Sequence, residues 1–371
     1  MAAQALQGID SAALVHQSAI GVKSHSDLQT IGEAQLPVTR AAVWARLLFT
    51  PISPTFGWLL NRLISKRAPD ILHLHMPNVS VFWALLLPAA RKIPWVVHWH
   101  ADVPASLLSL GLRVFYALYR PFERAILRHS DAIVVTSPPY MASSEPLAEF
   151  RDKCHTVPLG LATPPAPAPG IINAAPAPSD TLQVLAIGRL TYYKGFEYLL
   201  RAAAQCPCAE IHLVGRGSQE SHLRSLAREL QIEPRVTFHG HLSDADLDKQ
   251  FRACDCLCLP SIERTEAFGM VLLEAMSRGM ATLICKVPGS GMGWVVDDGV
   301  TGVHVPPENS EKLAAAMRHL AGDRDKMQQM GAAGRDKFDR QFHIDKSAAG
   351  VSGLYNRLLK IAPKDQQQAN T

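Results

Sequence analysis

Three observations predict an α/β protein built from two Rossmann-like, doubly wound halves. Short apolar runs alternate with amphipathic helical patterns along the chain, a rhythm that belongs to parallel sheets with crossover helices. A Pro- and Ala-rich segment interrupts that rhythm near the middle. The chain's 371 residues also exceed one core's capacity, since single cores stop growing near about 250–300 residues. In the first half the strand candidates are AALVHQ, ILHLHM, WVVHWH, AIVVTS and CHTVPLG. In the second they are LQVLAIGRL, EIHLVGRG, RVTFHGHL, CLCLPS, ATLICKV and TGVHVPP. Between them PLGLATPPAPAPGIINAAPAPSD, residues 158–180, can form neither helix nor central strand, because proline donates no amide and clashes with the preceding turn. The predicted division is a first unit over 1–164, a linker over 165–180 and a second unit over 181–344. A terminal helix over 345–361 is expected to return to the first unit, and a polar tail covers 362–371. In such folds the default ligand site is the cleft at the carboxyl ends of the strands.

The totals exclude several classes. A net charge of +4 without any Lys/Arg-rich block or aromatic RNA-binding signature gives no case for nucleic acid. The longest apolar run, Val79 to Ala90, is about twelve residues and contains Pro88, whereas a membrane span needs about 20. The opening MAAQALQGID carries neither the basic nor the apolar region of a secretory signal. Five of the seven cysteines lie in CPC and CDCLC, spacings that lack the paired C-x2-C of a zinc knuckle. They read as reduced, packed thiols of a cytoplasmic protein, those of CDCLC on one face of a strand.

The stretch EAFGMVLLEAMSRG, residues 266–279, carries a glutamate near each end of an apolar helix. Phe268, Val271, Leu272, Ala275 and Met276 recur at helical spacing and Gly279 closes the run. Glu274 falls off the apolar stripe beside Met270 and Ser277, and Glu266 precedes the helix. If helical throughout, the eight residues separating them span roughly 12 Å at about 1.5 Å each, the length of a sugar–diphosphate–ribose unit. The competing reading pairs Glu274 with Arg278 at i,i+4 on a solvated face.

The second half opens with VLAIGRLTYYKGFEYLL, a strand that ends in Gly188, Arg189 and Lys194 before an amphipathic helix. Two cations beside a helix N-terminus suit a diphosphate, offering fixed charge and free amides. LVGRG places Gly215 and Gly217 at the next strand end, where a missing side chain lets a ligand approach the main chain. In the first half VVHWHADV points His98 and His100 the same way from a strand, with Asp102 at the turn. The loop LHMPN adds His75 and Asn78.

Taken in order, GRLTYYKG, LVGRG, LPSIERTEAFGMVLLEAMSRGMATLI and GVTGVHVPPEN resemble the signatures of glycosyltransferase family four, retaining enzymes of the two-Rossmann GT-B type. The resemblance spans about Ile71 to Lys360 and leans toward bacterial mannosyl- and rhamnosyltransferases of polysaccharide assembly. It implies that the first unit faces the acceptor and the second holds a nucleotide-sugar, with a GDP-sugar weakly favoured. Glu274 would then hold the ribose, Glu266 contact the donor sugar, and Arg189 with Lys194 bind the diphosphate. Gly188, Gly215 and the backbone of Phe268, Gly269 and Met270 would complete the donor site. His100 matches the family histidine that touches the transferred sugar, and His75, Asn78 and Asp102 would line the acceptor side. The resemblance implies no obligatory metal or other cofactor. Consistent with that expectation, the Asp244–Asp246 DAD run follows Ser243 and reads as a capped helix start.

Two further expectations follow. WARLLFTPISPTFGWLLNRLISKR, residues 44–67, mixes Trp44, Phe49, Phe56 and Trp58 with Arg46, Arg62, Lys66 and Arg67. It reads either as a peripheral contact with anionic lipid, at the inner face of the cytoplasmic membrane, or as a core-facing helix with a solvated face. The opening MAAQALQGIDSAALVH looks like the end of a helix entering a second strand, so the first unit is expected to lack its first strand and glycine-rich turn. Alternative readings are therefore an inactive sugar-nucleotide-binding protein, or another GT-B enzyme such as a nucleotide-sugar epimerase.

Overall fold

In a computed structural model, described for residues 8–31, 34–47, 50–103, 110–164 and 181–361, the chain divides into two compact units. One comprises Met1–Thr136, Met141–Pro158 and Ile344–Thr371, the other Ser137–Tyr140 and Leu159–His343. The predicted linker over 165–180 and tail over 362–371 lie outside the described residues.

The second unit carries one parallel six-stranded sheet. Its strands are β10 (Leu182–Ile187), β11 (Ala209–Val214), β12 (Val236–Gly240), β13 (Cys256–Leu259), β14 (Ala281–Cys285) and β15 (Gly302–Val305). The spatial order β12-β11-β10-β13-β14-β15 reverses direction between β10 and β13, which pair with Val184 opposite Cys256. That junction is the topological switch point, where the loops leaving two neighbouring strands part and open a crevice. Both faces are covered by helices, so β13 and β14 are apolar and buried throughout. The one-face reading of CDCLC is thereby corrected. Cys256 and Cys258 are buried with the residues between and after them, while Cys254 closes the preceding helix. All seven cysteines are free, and burial raises the Cys256 and Cys258 thiols well above the usual range.

In the first unit three separate sheets, one of them a two-stranded hairpin, stand among the described residues where one doubly wound sheet was expected. β6 (Leu72–Met76), β7 (Trp95–Trp99), β8 (Ala132–Val135) and β9 (Cys154–Thr156) form a parallel four-stranded sheet in chain order. β1 (Ala13–His16), β2 (His25–Ile31) and β3 (Ala34–Ala41) form a separate one, β1 parallel and β2 antiparallel to β3. Among the described residues nothing pairs with the outer edge of β6. One face of the four-stranded sheet packs Val96, Ala132, Val134 and Val157 against Val351 and Leu354 of the final helix Ile344–Ile361.

The stretch over 44–67 is only partly helical. β4 (Ala45–Leu47) and β5 (Thr50–Ile52) make a hairpin, followed by helix α1 (Phe56–Arg67). α1 buries Phe56, Leu59, Leu60 and Ile64 and leaves Trp58 exposed beneath Arg62, whose guanidinium lies 5.3 Å from the indole centroid. Trp44 is exposed too, and Phe49 lies outside the described residues. Among the described residues no helix is long and apolar enough to cross a membrane.

Candidate functional site

The switch point of the second unit gathers most of the predicted donor residues. β10 ends in Gly188, whose amide donates to Val214 at 3.0 Å. A side chain on Gly188 would meet Cε and Nζ of Lys194 at 3.0 and 3.1 Å, so the lysine lies across the bare strand end. Lys194 Nζ pairs with Glu266 Oε2 at 2.5 Å, both side chains being nearly nine-tenths buried. Ser261 Oγ donates to the same carboxylate at 3.2 Å, and Ser290 Oγ donates to the Glu266 carbonyl at 2.5 Å. The carboxylate is thus held from the β13 end, and its backbone from the GSGMGW loop. Gly215 has φ +136°, and a Cβ there would sit 1.9 Å from the Gly188 carbonyl oxygen, so the two strand ends meet only because Gly215 lacks a side chain. Arg189 is exposed, and no ion-pair partner for its guanidinium occurs among the described residues.

The helix between the glutamates is shorter than the sequence pattern implies. With α2 (Trp83–Leu86), α3 (Leu110–His129), α4 (Pro138–Ser143), α5 (Phe196–Ala204), α6 (Glu220–Glu229) and α7 (Asp244–Ala253) preceding it, α8 covers only Met270–Met276. Gly269, at φ +82°, turns the chain into it. Phe268 therefore lies outside the helix, packed against Trp294 and Phe342 and only 3% exposed; only its backbone can face a ligand. The roughly 12 Å helical span between the glutamates does not apply, because residues 266–269 are not helical. Leu273 is buried along with the predicted stripe, so α8 is apolar nearly all round. Ser277, at 1% exposure, is buried instead of sharing an open face with Glu274. The amides of Phe268, Gly269 and Met270 donate to no loop carbonyl, as expected at a helix start.

Glu274 does not make the i,i+4 pair with Arg278. Arg278 turns instead to Asp248 Oδ1 at 3.0 Å and donates to the backbone carbonyl of Glu274 at 3.0 Å. The Glu274 carboxylate is half-buried, and no hydrogen bond or ion pair to it occurs among the described residues. Burial raises its pKa, partly opposed by the Arg278 charge and assisted by Asp244. A half-buried acceptor without its own partner is open to hydroxyl donors.

In the first unit His75 and His98 face each other across β6 and β7, and His73 and His100 extend the row. His75 Nδ1 and His100 Nε2 are 2.8 Å apart, and the His98 and His100 rings stack at 4.4 Å. Burial lowers His100 to about 4, with a contribution from His75. It also lowers His98 to about 2 and His73 to about 3. These imidazoles are neutral at physiological pH. Asn78 caps a helical turn, its Oδ1 accepting from the Ser80 amide at 3.0 Å. Asp102 Oδ1 accepts from Trp99 Nε1 at 2.8 Å and Ser144 Oγ at 2.7 Å. Both therefore have structural work in the fold. Asp244–Asp246 starts a helix capped by Ser243, as the sequence indicated. Sequence reasoning expected the glycine-rich stretch Gly289 to Trp294, which carries Ser290, to border the cleft, and passed over Ser261, whose contact with Glu266 depends on the fold.

A unit with a parallel six-stranded sheet and a lysine–glutamate pair at its switch point, together with a unit carrying a parallel four-stranded sheet, is the architecture of a GT-B glycosyltransferase. Residues 170–337 match the family described as Glycosyl transferases group 1, and residues 2–160 match a Glycosyl transferase 4-like domain. The chain is 30% identical over 293 residues to O-antigen chain mannosyltransferase C of Escherichia coli, covering 78% of this chain and 76% of that protein. It is 29% identical over 275 residues to the D-rhamnosyltransferase WbpZ of Pseudomonas aeruginosa, covering 74% and 70%. In fold it is similar to a sucrose-phosphate synthase from Thermosynechococcus elongatus, with TM-score 0.76 and 21% identity over 97% of this chain and 92% of the other. It is likewise similar to Anabaena HepE in complex with UDP, with TM-score 0.66, 20% identity and 82% of each chain covered. The chain belongs to glycosyltransferase family four. Members of that family use nucleotide-sugar substrates, and GT-B enzymes need no metal.

Proposed function

We propose that this chain is a retaining hexosyltransferase that moves a mannose- or rhamnose-type unit from a nucleotide-diphosphate sugar to a saccharide or lipid-linked saccharide. Its setting is cell-surface polysaccharide biosynthesis at the inner face of the cytoplasmic membrane. The observation that carries this reading is the unpartnered, half-buried Glu274 carboxylate on the helix that starts beside the Lys194–Glu266 pair. A carboxylate accepts two hydroxyl hydrogen bonds, as a ribose diol requires. Arg189 and Lys194 take the diphosphate, assisted by the amides of Gly269 and Met270, and neutralise the charge that builds up as it departs. Glu266 and His100 contact the sugar. Being neutral, His100 hydrogen-bonds without adding charge. His75, exposed at the end of β6, is the acceptor-side residue retained by this reading. Similarity to the mannosyl- and rhamnosyltransferases favours a GDP-linked donor. In front-face transfer the leaving phosphate oxygen accepts the acceptor's hydroxyl proton, and the new glycosidic bond forms on the face vacated by the diphosphate.

A second reading, donor binding without transfer, is favoured by one observation: the outer edge of β6, the strand that carries His75, pairs with nothing among the described residues. Incubating the chain with a panel of nucleotide-sugars, with and without lipid-linked saccharide, separates the two. Release of nucleoside diphosphate that depends on acceptor is expected. Saturable donor binding with no release under any condition would establish the second reading.

A further inference from the structure

Parallel pairing of β6 with β7 places His75 opposite His98, and the period-2 alternation of each strand puts His73 and His100 on the same face. Four imidazoles from two strands therefore share one patch. His73 Nε2 lies 3.2 Å from His98 Nδ1, and the other ring nitrogen of His73 is hydrogen-bonded to the Tyr355 hydroxyl. His73, His75 and His98 each offer a nitrogen such that all three lie within 4.8 Å of one another. The patch is not a closed hydrogen-bonded network. His98 is 8% exposed, yet its Nε2 has no partner, and most buried polar atoms do have one. In either tautomer the Tyr355–His73–His98 chain leaves that nitrogen unmatched.

From this juxtaposition we propose that His73, His75 and His98 form a binding site for one divalent transition-metal ion of the zinc, nickel or copper class. The all-imidazole donor set selects that class over magnesium and calcium, which prefer oxygen. An ion about 2.1 Å from His73 Nε2 and His98 Nδ1, in place of the hydrogen bond they share, would subtend about 100° between them, near the tetrahedral angle, and would leave the unpartnered His98 Nε2 as that ring's N–H. His75 closes the third side by exchanging its 2.8 Å contact with His100 Nε2 for the ion. Tyr355 then accepts from the far N–H of His73, the outer contact that orients a ligating imidazole. The ion would clamp β6 to β7 next to the unpaired β6 edge.

Cobalt(II) titration of the chelator-stripped full chain, followed by visible absorption, tests the site. One equivalent per chain is expected, with d–d bands of a nitrogen-ligated ion, no thiolate charge-transfer band, and displacement by zinc. His75→Ala, which removes an exposed side chain and leaves the fold intact, should weaken binding at least tenfold. His98→Ala should abolish it, with folding followed by circular dichroism. His212→Ala, in a separate histidine pair of the second unit, should bind like the parent. Absence of a saturable equivalent, unchanged affinity in His75→Ala, or binding that vanishes in Cys208→Ser would each overturn the proposal.

Discussion

At the scale of single residues the account rests on where charges find partners. Arg278 could have neutralised Glu274 from one turn away but is occupied by Asp248, which also pairs with Arg252. The choice was not legible in the sequence, because Asp248 lies 30 positions upstream and only the fold brings it near. The same holds for Lys194 and Glu266, each recognisable as a site candidate from its motif but not as each other's partner. Asn78 and Asp102 show the converse. Their residue types suit an acceptor site, and in the fold each also makes local contacts that no motif announced, a helical-turn cap for Asn78 and two hydrogen bonds for Asp102. For Glu274→Gln, donor affinity should fall about ten- to hundredfold, or about 1.4–3 kcal/mol, since one strong acceptor of the ribose is lost. The folded pKa of Glu274 is raised, so its charge costs stability at pH above that value and the cost disappears as pH falls toward 4.5. Melting should therefore show the Gln variant at or above the parent at neutral pH, with the gap closing on acidification.

At the scale of elements, the pattern-based reading worked where hydrophobic period and turn chemistry agreed. Each proposed strand is present, because buried parallel strands read as short apolar runs between Gly- and Pro-containing turns. The β2–β3 pair was missed because HSDLQTI and AQLPVTRA are polar and include a proline. Helix α8 was over-extended because the apolar spacing continues through Phe268, while Gly269 breaks the backbone one residue later. Helix α3 supplies a test of its own. Glu123 is 1% exposed, and one of its carboxylate oxygens has no hydrogen-bond partner. Burial, reinforced by Asp102 and opposed by Arg120, raises it to about 7 from an ordinary 4.5. For an acid raised in the folded state, the penalty is fully present above pH 7 and is relieved as pH falls through 7 toward 4.5. Chemical denaturation should find the parent gaining on the order of 3 kcal/mol relative to Glu123→Gln between pH 8 and pH 5. A flat difference across that range would refute the assignment.

At the scale of the whole molecule, family and fold class were legible because the second unit's motifs occur in an order that only this sheet topology explains. GRLTYYKG and LPSIERTEAFG leave the neighbouring strands β10 and β13 at their junction, LVGRG leaves β11 next to β10, and GVTGVHVPPEN spans the edge strand β15. The first unit was less legible. Its histidines were visible one strand at a time, but the cluster depends on the β6–β7 register, which no local pattern encodes. The separation into three sheets among the described residues depends in turn on which strands find neighbours. The most direct measurement of the central claim is a crystal structure of the chain with GDP bound. The account predicts both ribose hydroxyls within hydrogen-bond distance of the Glu274 carboxylate and the β-phosphate against Arg189 and Lys194. Nucleotide bound away from the β10–β13 junction, with Glu274 still unpartnered, would contradict it.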